Sequence, residues 1–235
     1  MRNRMRTIFM TIVLAVLCSA PVLALGPVDG EVGAVWWASD YDSTGGSASL
    51  SGDGDAPGYR AELWLLHRFG FRASVYSSDL DDLGVESADY TSLDFMWRAF
   101  SPSENNFLAI GAGWQEMDLA PVGLDGDTSG VRISLDGRIG LPGPFYLYGT
   151  ASYLPALDDA PATDPLLGSF ENLEGSEVDL GLSWTIVPFV AFRAGYRTQT
   201  VDFTRTGFAP LPGQPAEMDG EVESTGYVAG LSFRF

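Results

Sequence analysis

The chain has little cysteine, little histidine and no lysine. Cys18 is the only cysteine, so the part of the chain after residue 24 has none. Disulfide bonds and thiol catalysis are therefore excluded for that part. All 13 basic residues are arginine and they face 31 acidic residues, for a formal net charge of −18. A chain this acidic, with no basic patch, repels nucleic acid, so nucleic-acid binding is excluded.

Long apolar runs are also missing after the N-terminus. None approaches the roughly 20 residues of a membrane helix. The longest, 184–192, is interrupted by Pro188 and is typical of two strand ends joined by a tight turn. Once residues 1–24 are set aside, the rest of the chain is long enough for one domain.

The N-terminal 24 residues have the pattern of a signal peptide. Arg2, Arg4 and Arg6 precede an apolar stretch at 7–18. We predict a signal peptide at 1–24 and a single domain at 25–235. A retained membrane anchor is an alternative, but the run is short for a bilayer span. A lipoprotein acylated at Cys18 is another, although Leu17 stands where a small residue is expected.

Period-two alternation dominates the remainder, and the last nine residues show it best. One face of this segment is apolar and the other is small or polar. The apolar face carries Tyr227, Ala229, Leu231, Phe233 and Phe235, and the other carries Gly226, Gly230, Ser232 and Arg234. The segment therefore predicts a strand that ends on an aromatic residue.

Similar segments recur and predict about ten strands, alternately joined by short and long connections. The strands are expected at 30–40, 58–67, 71–79, 91–101, 107–117, 130–140, 145–154, 176–187, 189–203 and 222–235. The long connections, rich in Gly, Pro, Ser and Asp, are expected at 41–57, 80–90, 118–129, 155–175 and 204–221. An even strand number places both chain ends on the side of the short turns.

The last strand resembles the closing strand of bacterial outer-membrane β-barrels, whose terminal Phe and alternating apolar residues are recognised by the barrel assembly machinery. The resemblance implies that Tyr227, Leu231, Phe233 and Phe235 form an assembly signal. The whole domain resembles the small OmpA/OmpX-like superfamily, which implies an all-β, antiparallel transmembrane β-barrel. Members of that type have eight strands, so eight is the alternative to ten. A soluble lipocalin-type barrel or sandwich is a further alternative, against which stand the many glycines of the polar face and the terminal Phe.

Charged residues fall on the polar face of many strands. In a membrane barrel they point into the lumen, where near-neutrality favours an ion-paired plug. A gradient, with arginines toward the turns and acids toward the long loops, would instead suit a narrow anion-attracting channel. The predicted lumen set is Arg60, Glu62, Arg72, Asp94, Arg98, Arg132, Asp136, Arg138, Glu177, Asp179, Arg193, Arg197, Glu223 and Arg234, with Glu31 beside it.

Two candidate sites carry weak signals. Asp53, Asp55, Asp125 and Asp127 alternate with glycine as in a calcium loop, but neither segment completes the motif, and solvated surface charge is the alternative. Outer-membrane proteases, palmitoyltransferases and deacylases resemble one another in using a histidine near the outer rim. Here His67 lies beside a short turn, which leaves only the Glu177 and Asp179 pair as a candidate.

These observations favour an integral outer-membrane protein that is not an enzyme and needs no cofactor. We expect an envelope scaffold whose long acidic external loops make contacts, with a narrow channel as the alternative. The expected partners are outer-membrane lipid, lipopolysaccharide and the barrel assembly machinery. The external ligand is left open by the sequence.

Overall fold

The computed structural model describes residues 28–45, 48–80, 85–103, 105–118, 127–161, 168–207 and 217–235. The predicted signal peptide lies outside these ranges. In the part of the chain that is described, no helix is long and apolar enough to span a membrane.

Most of the described residues lie in β-strands, and neighbouring strands pair in antiparallel fashion. In chain order they are β1 (Val28–Gly45), β2 (Ala48–Leu65), β3 (Phe69–Leu80), β4 (Val85–Ser103), β5 (Asn106–Asp118), β6 (Asp127–Gly140), β7 (Phe145–Leu157), β8 (Ala160–Pro161), β9 (Ser169–Val187), β10 (Val190–Thr206) and β11 (Met218–Arg234). Each long strand pairs with the next, and β11 pairs with β1. The ten long strands therefore close into a barrel, and the two-residue β8 only adds to the edge of β9.

The prediction of ten antiparallel strands is confirmed, and the alternative of eight is wrong. The strands extend further than predicted, so the expected long connections were drawn too long. Residues 41–45 and 48–57, expected in a loop, continue β1 and β2 in an unbroken register. The reason is that Gly, Ser and Asp alternate there with inward residues such as Tyr41 and Ala56, which the barrel buries.

One end of the barrel carries the connections β2–β3, β4–β5, β6–β7 and β9–β10, none longer than four residues, and both described chain ends, and we call it the turn end. Its turns include 66–68, 141–144 and 188–189, and β4 and β5 also meet there. We call the opposite end, toward which the strands extend beyond the apolar band, the loop end. The turn at Pro188 confirms that 184–192 is two strand ends.

The outer wall nearer the turn end is apolar. Its exposed side chains are aromatic and aliphatic, and many pack in pairs, such as Phe145 with Trp184 and Phe189 with Phe233. Farther from the turns a second set of exposed aromatics includes Trp36, Tyr59, Trp114, Tyr196 and Tyr227. Two aromatic girdles around an apolar band are the outer surface expected of a transmembrane barrel.

The polarity of the wall reverses toward the loop end. On β1 the outward residues change from Ala34 and Trp36 to Asp40 and Asp42, while the inward residues change from Glu31 to Tyr41. The strands β10 and β11 show the same change. The outer face of the same strands is therefore suited to lipid near the turn end and to water near the loop end.

The terminal residue closes the barrel seam. The backbone of Phe235 exchanges two hydrogen bonds with Gly30, of 2.9 and 3.0 Å. Its ring covers Gly30 so closely that a Cβ there would lie 2.2 Å from Cζ of the ring. The glycine is thus required for the ring of the last residue to lie on the first strand.

Replacing Gly30 with valine should expel the Phe235 ring and lower the free energy of unfolding by about 1–3 kcal/mol. Urea unfolding of the refolded barrel in lipid vesicles measures this. The matched control is Gly45→Val on the same strand, where a Cβ would meet nothing within 4 Å. Equal stability of the two variants would contradict this role of the ring.

Candidate functional site: the lumen ion-pair network

The lumen is built from the inward residues of all ten long strands. Because inward residues recur at every second position, arginines and acids two residues apart on one strand stack at successive heights. Arg60 and Glu62 on β2, and Asp136 and Arg138 on β6, illustrate the pattern. The network can be followed in three groups from the turn end upward.

The group nearest the turn end centres on Glu31. Its carboxylate lies 3.5 Å from Arg138, 3.7 Å from Arg193 and 3.7 Å from Arg234. Arg138 also contacts Glu62 at 2.7 Å. These residues come from β1, β2, β6, β10 and β11, so the group links strands on opposite sides of the barrel.

The middle group centres on Arg72. Its guanidinium contacts Asp94 at 2.8 Å and Asp136 at 2.9 Å, and all three side chains are almost fully buried. Arg60 lies between Asp136 at 3.7 Å and Asp179 at 3.9 Å. Charge-assisted hydrogen bonds of this kind are among the strong ones in proteins.

The upper group centres on Glu177. It accepts hydrogen bonds from Arg132 at 3.0 and 3.3 Å and lies 3.2 Å from Arg197. Arg132 also donates to Gln115 and lies 3.4 Å from Asp94, which joins this group to the middle one. Arg60 lies 3.5 Å from Glu62, which joins the middle group to the lowest one, so the three groups form one connected network.

Apolar side chains fill the lumen above the network. They form one buried cluster at the loop end. Its members are Val35, Trp37, Tyr41, Ala56, Tyr76, Tyr90, Met117, Leu154, Leu157, Ala160, Phe170, Leu173, Val201, Phe203, Val222 and Val228. A smaller cluster near the turn end contains Trp64, Met96, Phe107 and Ala109. Beside Glu31 and Arg60 lies a cavity of about 10 Å³, at the lower limit for one water molecule.

Two residues of the predicted set stand apart. Glu223 was predicted to face the lumen, and this is wrong. The inward positions of β11 are even-numbered, so Glu223 faces outward, opposite Asp42. Arg98 is inward, but among the described residues no carboxylate lies within ion-pair distance of it. Its guanidinium instead lies over the rings of Trp64 at 3.9 Å and Phe107 at 4.2 Å.

Sequence reasoning missed the aromatic partners of the lumen arginines. Arg193 lies 4.2 Å from the ring centre of Tyr148, and Arg197 lies 4.1 Å from that of Tyr76. Cation–π contacts supply attraction without an opposite charge. The signal was present, because both tyrosines fall on the polar face of their strands.

The weaker candidate sites do not come together. Asp53 and Asp55 lie on β2 and face outward, Asp125 lies outside the described residues, and the side chain of Asp127 is not described. Among the described residues no group of three or more His, Cys, Asp or Glu side chains is arranged to hold a metal ion. His67 lies in the β2–β3 turn, 2.7 Å from Asp29.

Comparison with known proteins supports the fold. The outer membrane protease OmpT from Escherichia coli matches over 88% of this chain and 96% of its own, with a TM-score of 0.57 and 12% identity. Neisserial surface protein A matches 89% of this chain and 98% of its own, with a TM-score of 0.34 and 15% identity. OprG from Pseudomonas aeruginosa covers 88% and 95%, with a TM-score of 0.40 and 11% identity.

No family model matches the chain, and no curated protein sequence is significantly similar to it. The likeness to OmpT therefore shows the fold of a small outer-membrane β-barrel and nothing about activity.

Proposed function

We propose that the protein is a non-enzymatic scaffold of the outer membrane, with its turn end in the periplasm and an acidic external wall as its contact surface. Short turns face the periplasm in outer-membrane barrels, and no connection at the turn end exceeds four residues, whereas three at the loop end have eight or more. The apolar band near the turns and the acidic wall near the loops support the same orientation.

The observation that carries the proposal is the filled lumen. At membrane depth the lumen holds a connected network of ion pairs, and toward the loop end it holds an apolar cluster. A conducting path would have to cross both. Opening the ion-pair network would leave buried charges unpaired, which costs about 3–5 kcal/mol of stability for each broken pair.

The alternative of a narrow channel depended on separated charges. The arginines toward the turn end were expected to attract anions. Instead Arg138 and Arg193 contact Glu31, and Arg72 contacts two aspartates. Paired charges give a weak field along the axis, which supports the scaffold over the channel.

The positions of the titratable residues also support a non-enzymatic role. Glu177 lies between Arg132 and Arg197, and Asp179 lies beside Arg60, so both have structural partners. His67 lies at the turn end, away from the external wall. OmpT is a protease, but a likeness at 12% identity does not extend that activity to this chain.

The external wall carries acids in opposed pairs. Asp40 lies opposite Asp53, and Asp42 lies opposite Glu223. Like charges directly opposite on a sheet are destabilising. At the same end of the barrel, the hydroxyls of Thr206 and Ser169 donate hydrogen bonds to Glu171 on β9, and these bonds lower the pKa of its carboxyl. The opposed acid pairs reduce stability and are nevertheless gathered on one surface. This supports a role for that surface in contact with a positively charged partner.

Single-channel recording in a planar bilayer tests the filled lumen. We expect no current steps from protein shown to be inserted, because ion pairs and apolar side chains of the described strands occupy the lumen. Arg193→Gln should also stay silent while losing stability. Discrete steps from the wild type that change in Arg193→Gln would contradict the proposal and favour the channel.

Neutralising the external acids tests the contact surface. The variant Asp40→Asn, Asp42→Asn, Glu223→Gln should be at least as stable as the wild type, because opposed charges are removed. It should bind polylysine more weakly at low salt, as measured by titration of the barrel in nanodiscs. Thr225→Ala on the same wall is the control. Unchanged polylysine binding by the triple variant would contradict a contact role for these acids.

A further inference from the structure

One rung of the outer wall carries two glycines between two leucines. Leu108, Gly137, Gly149 and Leu180 are successive cross-strand partners on β5, β6, β7 and β9. A Cβ added at Gly137 would make only ordinary contacts, at 3.7 Å from Leu108 and Phe107, whereas one at Gly149 would lie 2.8 Å from the side chain of Leu180. The wall is therefore indented at Gly137, and Leu180 covers Gly149. The result is a groove of about 790 Å³ on the apolar wall. Its apolar lining includes Phe100, Leu108, Ile139, Leu147 and Leu180.

The groove continues into polar recesses at the turn end. Pro102 lines both the groove and a recess of about 520 Å³, and Asn106 lines both the groove and a recess of about 470 Å³. The two recesses share Ser103 and Asn105. An apolar groove therefore leads directly to a polar rim.

Arg98 supplies spare positive charge at this rim. It lines the larger recess, its side chain is almost fully buried, and its Nε and Nη1 have no hydrogen-bond acceptor among the described residues. The nearby carboxylate of Glu62 is already bonded to Arg138 and Trp64. Ring contacts alone leave the N–H groups of Arg98 unsatisfied, at a cost in free energy. An anionic oxygen would satisfy them.

We propose that this feature binds one anionic phospholipid of the periplasmic leaflet. One acyl chain lies in the groove over Gly137, and the phosphate lies at the rim beside Arg98. Phosphate oxygens match the planar fork of an arginine. The order of apolar groove and then charged rim along the barrel axis matches the order of chain and headgroup. The choice of leaflet rests on the orientation in the proposed function.

Native mass spectrometry of barrels extracted from nanodiscs tests the site. The nanodiscs contain equal amounts of phosphatidylglycerol and phosphatidylcholine. We expect the wild type to retain one phosphatidylglycerol in preference to phosphatidylcholine. Gly137→Leu fills the groove without a backbone clash and should lower retention roughly tenfold. Arg98→Gln should abolish the preference for the anionic lipid.

Ala34→Leu is the matched control, because it adds similar bulk to the apolar wall on β1, away from the groove, and should retain the lipid as the wild type does. Folding of every variant is checked by its heat-dependent gel mobility. Arg98→Lys keeps the charge and should keep part of the preference.

Two results would overturn the proposal. One is equal retention by Gly137→Leu and the wild type. The other is that glycerol phosphate displaces the bound phosphatidylglycerol equally from the wild type and from Gly137→Leu. That result would mean that the site binds soluble anions. Lipid retention is independent of conductance and of polylysine binding, so failure here and failure of the scaffold proposal are distinguished.

Discussion

The structure depends on the pairing of charges buried inside a narrow barrel. Ten strands leave little interior space, and the membrane around them offers no water to the arginines that occupy it. Each guanidinium must therefore find a carboxylate or an aromatic face within the lumen. Arg72 and Arg138 each find two carboxylates, and those contacts join strands that are far apart in the sheet.

The same constraint explains the reversal of polarity along the strands. Where the wall faces lipid, the polar side chains can only turn inward, and they pair there. Where the wall emerges into water, the interior can be apolar, and Trp37, Tyr76 and Phe203 fill it as in a soluble barrel. Acids such as Asp40 and Asp202 then take the outer face. A filled lumen and a charged exterior follow from this arrangement, and they support the proposed scaffold role.

Much of the fold could be predicted because inward and outward positions alternate strictly. The facing of Arg72, Asp94 or Glu177 follows from that period, and strand number and turn positions follow once the Gly-, Pro-, Ser- and Asp-rich connections are added. The strand extensions at 41–45 and 48–57 were missed because Gly, Ser and Asp favour loops locally, and only the cross-strand register holds them as strands. Which arginine contacts which acid depends on the stagger of the barrel, which no single strand encodes.

A double-mutant cycle on Arg72 and Asp94 tests the central claim most directly. The unfolding free energies of Arg72→Met, Asp94→Leu and the double variant are measured by urea titration in lipid vesicles. We expect each single change to lower the free energy of unfolding by about 3–5 kcal/mol, because it leaves the partner's charge buried and unpaired. The double change should cost much less than the sum of the two. Single changes that cost little and add without coupling would contradict an ion-paired lumen.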